Sequence, residues 1–463
     1  MTTTPQILII IVTWNKKQYV LELLASLAML DSSNYTYDVL VIDNASSDGT
    51  TAAIKAAYPQ VKLICNPENI GGTGGFNTGL QWAFEQPRYQ YLWLLDNDVL
   101  VHHRALTELL ALLEEEPDIA IAGSTMMQLD YPWRVNEMGA FIDRGLGQLF
   151  LNRHLEEIPV WQGRPVQELL TTEVDLSKYL MHCQPYMDVE YVAAASLLVR
   201  ADVAKQAGLW RDYFIHFDDV EWCLRIAEMG HQVVVSAKSL IWHLSAAAKV
   251  PTWVLYYDNR NVLDLLKAHG ADTAFLQRLM RYILKKAVYY NLIGKPDLAQ
   301  LHYEAITDFT AGRLGKKDIK LLSTYQPNNK VMSVLLEPTV KKVLVAWTVN
   351  LQATGLQKTL VQAIRSRSEL SIDCLTLPGG KPLFQIPNAN FVIMPKNFSR
   401  WKTYWQLRGR YDLVIQSDYQ PSFGLSWLKA DLLYVNDEGF CRYPPPKLRE
   451  VWQAVMRWIR TFF

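Results

Sequence analysis

Residues 38–66, DVLVIDNASSDGTTAAIKAAYPQVKLICN, decide the fold. An apolar run rich in Val and Ile ends at Asp43 and Asn44, a glycine-marked turn opens an alanine-rich helical pattern, and a second apolar run, VKLIC, closes the unit. Strand, helix and strand in that order form a parallel pair, because two parallel strands need a crossover and a helix supplies it. The alternation continues outward. ILIIIVT (7–13) and YVLELLASLAML (19–30) precede it; a glycine-rich stretch, a helical pattern and YLWLLD (91–96) follow. Strands that read as unbroken apolar runs are covered on both faces. The expected fold class is therefore α/β, a mostly parallel sheet with helices on both faces.

Ligands of such sheets bind beyond the carboxyl ends of the strands. Polar residues collect there: Thr13 and Asn15 after the first strand, Asp43 and Asn44 after the second, Asn66 and Asn69 after the third, Asp96 to Asp98 after the fourth. The glycine stretch NIGGTGGFNTGLQWA (69–83) lies at the same edge and reads as a loop leading into a helix. It matches neither familiar phosphate loop. Gly72 and Gly74 are followed by Asn77 where a dinucleotide fingerprint needs its third glycine, and Leu80 stands where a triphosphate loop needs lysine. Read alone, it is equally a turn rich in glycine for backbone reasons.

In LLDNDV (94–99) two carboxylates at i and i+2 leave the strand on one side, so Asp96 and Asp98 can share a cation such as Mn²⁺ or Mg²⁺. An isolated D-x-D is more often a pair of acidic turn residues. In YFIHFDDVEWCLRIAEMGH (213–231) Asp218 and Asp219 open a helical pattern, where carboxylates commonly cap free N–H groups. Two adjacent like charges beside Phe214, Phe217 and Trp222 also raise proton affinity, which suits a general base. LIWHLSA (240–246) ends a further strand-like run with His243, either a packed residue or a metal ligand.

Taken in order, VTWN (12–15), VIDNASSDGT (41–50), NPENIGGTGGFNTG (66–79), LLDNDV, AAASLLVRADVAKQAGLW (193–210) and FDDVEWCLR (217–225) resemble the inverting family 2 glycosyltransferases of GT-A fold over about residues 5–265. The galactofuranosyl- and rhamnosyltransferase branches are the most similar. The resemblance implies a donor site for a nucleotide-diphosphate sugar, with Thr13, Asn15 and Asp43 on the nucleoside and Asn69, Gly74, Gly75, Asn77 and Asp96 along the sugar and diphosphate. It implies Mn²⁺ or Mg²⁺ on Asp96, Asp98 and His243. Asp219 would be the catalytic base, with Asp218 as its supporting neighbour. The implied acceptor is a saccharide or lipid-linked saccharide, in cell-surface polysaccharide synthesis. One departure stands out: Asn44 occupies a position where many members carry a second acid.

Residues 124–190 are less regular and read as a β-containing insertion that shapes a pocket. From 252 to 326 the pattern is helical, with basic and aromatic outer faces suited to solvent or to peripheral membrane contact. QPNNK (326–330) reads as a linker, after which βα alternation resumes in a smaller Rossmann-like unit that resembles one half of a GT-B glycosyltransferase. The expected organisation is a donor-binding domain over 1–265, a helical segment and linker over 266–329 and the second α/β domain over 330–463.

Across 463 residues, Lys plus Arg equal Asp plus Glu at 46 each, so no global field recruits nucleic acid. The five cysteines are dispersed without a C-x-x-C pair, so neither a disulfide framework nor a thiolate zinc site is indicated, and a reducing cytosol fits best. The opening MTTTPQILIIIVTWN lacks a basic region, and no apolar run reaches the roughly 20 residues of a membrane span. A cytoplasmic enzyme, peripheral at the inner face of the membrane, is the expectation. Two other classes compete. One is an inactive sugar-nucleotide-binding or scaffold protein. The other is a nucleotidyltransferase, for which TWNKKQY (13–19) supplies Lys16 and Lys17 without the needed glycines.

Overall fold

The computed structural model describes residues 4–244, 252–352, 354–378, 386, 389–395, 399–437 and 439–460, so the last residues of VWQAVMRWIRTFF (451–463) lie outside it. The chain divides into two units, one of residues 1–247, 260–272 and 309–317, the other of 248–259, 273–308 and 318–463.

In the first unit the order begins β1 (Gln6–Thr13), α1 (Lys17–Leu27), β2 (Thr36–Asp43), α2 (Thr50–Ala57), β3 (Lys62–Cys65), α3 (Gly71–Phe84), β4 (Tyr91–Asp96), β5 (Val99–Val101) and α4 (Ala105–Glu115). It continues with β6 (Ile119–Gln128), β7 (Val135–Glu137), β8 (Ala140–Asp143), β9 (Gln148–Leu151), α5 (Val166–Leu169), β10 (Tyr186–Asp188) and β11 (Leu197–Arg200). Then come α6 (Ala201–Ala207), α7 (Asp218–Glu228) and β12 (Gln232–His243). The sheet order is β10-β12-β6-β11-β4-β1-β2-β3. Strands β4, β1, β2 and β3 run parallel, whereas β11 lies antiparallel between β4 and β6. Ile7, Ile9 and Ile11 pack with α1 and α4 on one face; Ile10 and Ile42 face α3 on the other. Covered faces on both sides explain the unbroken apolar runs.

The insertion is largely irregular, with a β8–β9 hairpin and β7 added to the edge of β6. Strand β12 pairs with β6 in two stretches, and between Ser236 and Leu240 it carries an irregularity against the adjacent Ser124 and Thr125. Ser236 Oγ accepts hydrogen bonds from Lys238 N and Ser239 N at 3.2 Å each, which fixes that bulge.

Next in chain order come α8 (Val254–Ala268), α9 (Thr273–Leu292), α10 (Pro296–Thr310) and α11 (Val331–Leu335). The second sheet and its helices follow: β13 (Lys342–Val345), α12 (Leu356–Ser366), β14 (Ser371–Thr376), β15 (Asn390–Ile393), α13 (Arg400–Leu407), β16 (Leu413–Ser417), α14 (Phe423–Ser426), β17 (Asp431–Val435), β18 (Phe440–Tyr443) and α15 (Leu448–Arg460). The order is β15-β14-β13-β16-β17-β18, parallel except for β18. Residues 273–308 group with this second unit rather than standing as a segment of their own. The reason is chemical: Lys295, between α9 and α10, forms a buried ion pair with Asp418, and Tyr443 Oη donates to Asp297 Oδ2 at 3.1 Å.

Candidate active site

The register of the first sheet sets Thr13 beside Asp43, Val12 beside Asp96 and Asp43 beside Cys65, so these strands end along one edge. Asp43 is buried, accepting Ser46 N at 3.0 Å on Oδ1 and the Thr51 hydroxyl on Oδ2. Exposed Asn15, with φ of 51°, accepts Ser47 N at 2.7 Å. Thr13 accepts the Asn97 amide at 2.9 Å. The departure at Asn44 has a geometric reason. Its Nδ2 donates to Gly71 O at 2.8 Å while its Oδ1 accepts Asn66 Nδ2 at 2.7 Å, a pair of roles that an amide fills and a carboxylate does not.

The glycine stretch corrects the loop reading, because residues 71–84 are helix α3. A Cβ on Gly75 would stand 2.3 Å from Val12 Cγ1, and one on Gly79 2.4 Å from Ile10 Cγ2. Those two glycines therefore let α3 lie directly on β1, while a Cβ on Gly74 would meet Ile70 of its own turn at 2.7 Å. Asn77 is likewise engaged: Nδ2 donates to Trp210 O at 2.9 Å and Oδ1 accepts Trp210 N at 2.8 Å. Asn69 Oδ1 accepts Gly71 N at 2.9 Å at the start of the helix.

Asp96 ends β4, Asp98 precedes β5 and His243 ends β12, which pairs antiparallel with β5 so that His243 lies opposite Val99. Among the described residues these three form the one group whose ligand atoms could hold a metal ion, all lying within 4.8 Å of one another. Burial pushes the Asp98 carboxyl up, but the hydrogen bond and charge of His243 outweigh it and hold the group below its ordinary value. Two carboxyl groups plus one imidazole fit a divalent cation of the Mn²⁺ and Mg²⁺ kind. Sequence reasoning missed Glu137, on β7, buried and pushed up to about 7 by that burial despite the opposing charge of His243.

Asp218 and Asp219 form the first turn of α7. Asp219 Oδ2 accepts Ala194 N at 3.1 Å and Oδ1 accepts Val220 N at 2.8 Å. Burial, then the charge of Asp218, raise the Asp219 carboxyl to about 7. Buried Thr73 donates its hydroxyl to Asp218 Oδ2 at 2.5 Å, a link from α3 that no local sequence pattern announced. The preceding turn is unusual. Phe214, His216 and Phe217 have φ of 69°, 64° and 65°, a left-handed region that costs a non-glycine residue about 1–2 kcal/mol. Phe214 O accepts Thr73 N at 3.2 Å, and a Cβ on Gly71 would fall 2.1 Å from that oxygen, so the start of α3 and this turn touch there.

The profile of glycosyl transferase family 2 matches residues 8–155. Galactofuranosyltransferase GlfT2 of Mycobacterium tuberculosis is 25% identical over 252 residues, 54% of this chain and 38% of that protein. GlfT2 of Mycolicibacterium smegmatis is 22% identical over 330 residues, 65% of this chain and 48% of its own length. The chain thus covers less than half the length of each of these relatives. A crystal structure of GalNAc-T7 with UDP, GalNAc and Mn²⁺ aligns with a TM-score of 0.44 at 13% identity, covering 67% of this chain and 57% of that one. Over residues 8–155 the amino-terminal unit thus matches the glycosyl transferase family 2 model, as the sequence resemblance implied, on an α/β fold built around a mixed sheet.

Proposed function

We propose that this protein is a metal-dependent, inverting glycosyltransferase. It takes a sugar from a nucleotide-diphosphate donor and passes it to a saccharide or lipid-linked saccharide in cell-surface polysaccharide synthesis. The observation that carries the reading is the convergence of Asp96, Asp98 and His243 at the carboxyl edge of the sheet, together with Asp219, a buried carboxyl raised to about 7. Asp43, Thr13 and Asn15 hold the nucleoside, and Asn69 and Asp96 flank the diphosphate and sugar. Gly74, Gly75 and Asn77 shape that wall through packing. Mn²⁺ or Mg²⁺ held by Asp96, Asp98 and His243 would neutralise the diphosphate as it leaves. Asp219 removes the proton of the acceptor hydroxyl as that oxygen attacks the anomeric carbon from the face opposite the diphosphate, and configuration inverts. Incubation with UDP-, dTDP- and GDP-linked sugars, with and without chelator, tests the proposal by donor hydrolysis and by product anomeric configuration. Cation-dependent binding without turnover would favour the scaffold reading instead.

Among the described residues no helix is long and apolar enough to cross a membrane. Peripheral attachment to the inner face has support in the second unit. Trp401 and Trp405 on α13 are 51% and 73% exposed beside Arg400, Lys402, Arg408 and Arg410, and no acidic residue lies between Asp373 and Asp412. Exposed indoles within a cationic surface favour the headgroup region of anionic lipid. Co-sedimentation with phosphatidylglycerol vesicles but not phosphatidylcholine vesicles, weakened by Trp405→Ala, is the expected result.

A further inference from the structure

The left-handed turn that precedes Asp219 is held by residues far along the chain, on the part of α8 that belongs to the first unit. Asn261, fully buried, directs Nδ2 at three backbone carbonyls of that turn: Ile215 O at 2.8 Å, His216 O at 2.9 Å and Tyr213 O at 3.3 Å. Its amide is oriented by Arg260, whose Nε donates to Asn261 Oδ1 at 2.9 Å. The same guanidinium donates to Tyr213 O at 2.9 Å and Gly315 O at 2.7 Å. One turn on, Asp264 Oδ2 accepts Tyr213 Oη at 2.9 Å and Arg211 Nε at 2.5 Å.

We infer that Asn261 is a positioning residue for transfer, acting through the turn at 213–217 to set the first turn of α7 and thereby the carboxylate of Asp219. The inference rests on the reading of Asp219 as the base. Contacts from one amide to the carbonyls of Tyr213, Ile215 and His216 have a specific effect here. A chain with non-glycine residues at φ of 69°, 64° and 65° relaxes toward ordinary φ unless its carbonyls are held, and relaxation would swing Asp219 toward water. On the other side Phe214 O is fixed by Thr73 N, so the turn is clamped between α3 and α8. The family profile ends at residue 155, and α8 lies well beyond it.

The test compares Asn261→Ala and Asn261→Ser with Asp219→Asn in one assay of donor hydrolysis, using the nucleotide sugar identified by the screen above. Binding of the matching nucleoside diphosphate with Mn²⁺ is measured alongside. Asn261→Ala is expected to lower kcat by about 10- to 100-fold with diphosphate affinity within twofold of wild type. It should also move the acidic limb of the kcat–pH profile below 7, because a better solvated Asp219 ionises more readily. Asn261→Ser, which keeps one donor, should fall between. Asp218, Asp96, Tyr191 and Cys223, the groups whose charge couples to Asp219, are unchanged in these variants, so a moved limb reports the carboxylate's surroundings. Folded variants with a wild-type limb, or with activity lost only in proportion to folded protein, would overturn the proposal. If Asn261→Ala does not fold, the serine variant decides by the same limb. Near wild-type turnover in Asp219→Asn would instead overturn the base assignment, a separate failure.

Discussion

His243 Nε2 lies 3.1 Å from Asp98 Oδ1, although 144 positions separate them in sequence, because antiparallel pairing of β12 with β5 brings the end of one strand to the start of the other. The two groups satisfy each other here, and in the proposed metal site both would instead act as ligands. Binding of UDP or another nucleoside diphosphate should therefore require Mn²⁺ or Mg²⁺, and Asp98→Ala should weaken it by more than about tenfold. Calorimetry with and without chelator reads this directly, and equal affinity in both conditions would remove the metal assignment.

Asp219 must be ionised to accept a proton. With its carboxyl raised to about 7, activity should climb as pH passes through that value and level off above it. Asp219→Asn should cut transfer by about 100-fold or more while donor binding persists. Asp218→Asn removes the neighbouring charge and should shift the limb to lower pH with a smaller loss in rate.

Burial raises Glu137 from 4.5 to about 7 in the folded state. Between those values the unfolded chain has released the proton and the folded chain still holds it, so the carboxyl lowers stability progressively as pH rises through that window. Glu137→Gln should raise the melting temperature at pH 8 by several degrees and change it little at pH 4. Equal shifts at both pH values would contradict the buried acid.

Gly71→Ala introduces a methyl 2.1 Å from Phe214 O and 2.8 Å from Phe214 C at a φ of +79°, and these two backbone atoms cannot give way cheaply. A loss of about 3 kcal/mol or more by urea unfolding is expected, above the usual effect of a surface substitution.

Asn44→Asp replaces an amide that donates to Gly71 O with a carboxylate that cannot. The cost should be about 1–3 kcal/mol, the penalty for a buried acceptor left unmade, smaller at low pH where the protonated acid can donate again. A neutral result at pH 8 would mean that the Asn66–Asn44–Gly71 chain is dispensable.

The sheet was legible because its strands are covered on both faces and announce themselves as apolar runs of Val, Ile and Leu. Asp96, Asp98 and the Asp218–Asp219 pair were legible because their geometry is local. The course of residues 71–79 was not. Glycine propensity argues for a loop there, yet the fit of Gly75 and Gly79 against Val12 and Ile10 outweighs propensity and makes a helix. Asn261 and Thr73 carried no signal, since each acts through a contact that only the folded chain creates. The antiparallel insertion of β11 was equally hidden, being short and as apolar as its parallel neighbours.

The bulge at Ser236–Leu240 has a consequence for tolerance of insertions and deletions. Successive side chains on a strand alternate between faces, so the bulge sets the parity with which β12 arrives at its end. Residues 237–239 stand outside the ladder, between the rungs at Ser236 and Leu240, so a lost residue that the bulge absorbs leaves His243 opposite Val99, whereas one taken up by the ladder turns His243 to the opposite face. Loss of two would restore the side while shortening the reach. The proposed metal site thus depends on the bulge to take up any change of length before it reaches the end of β12.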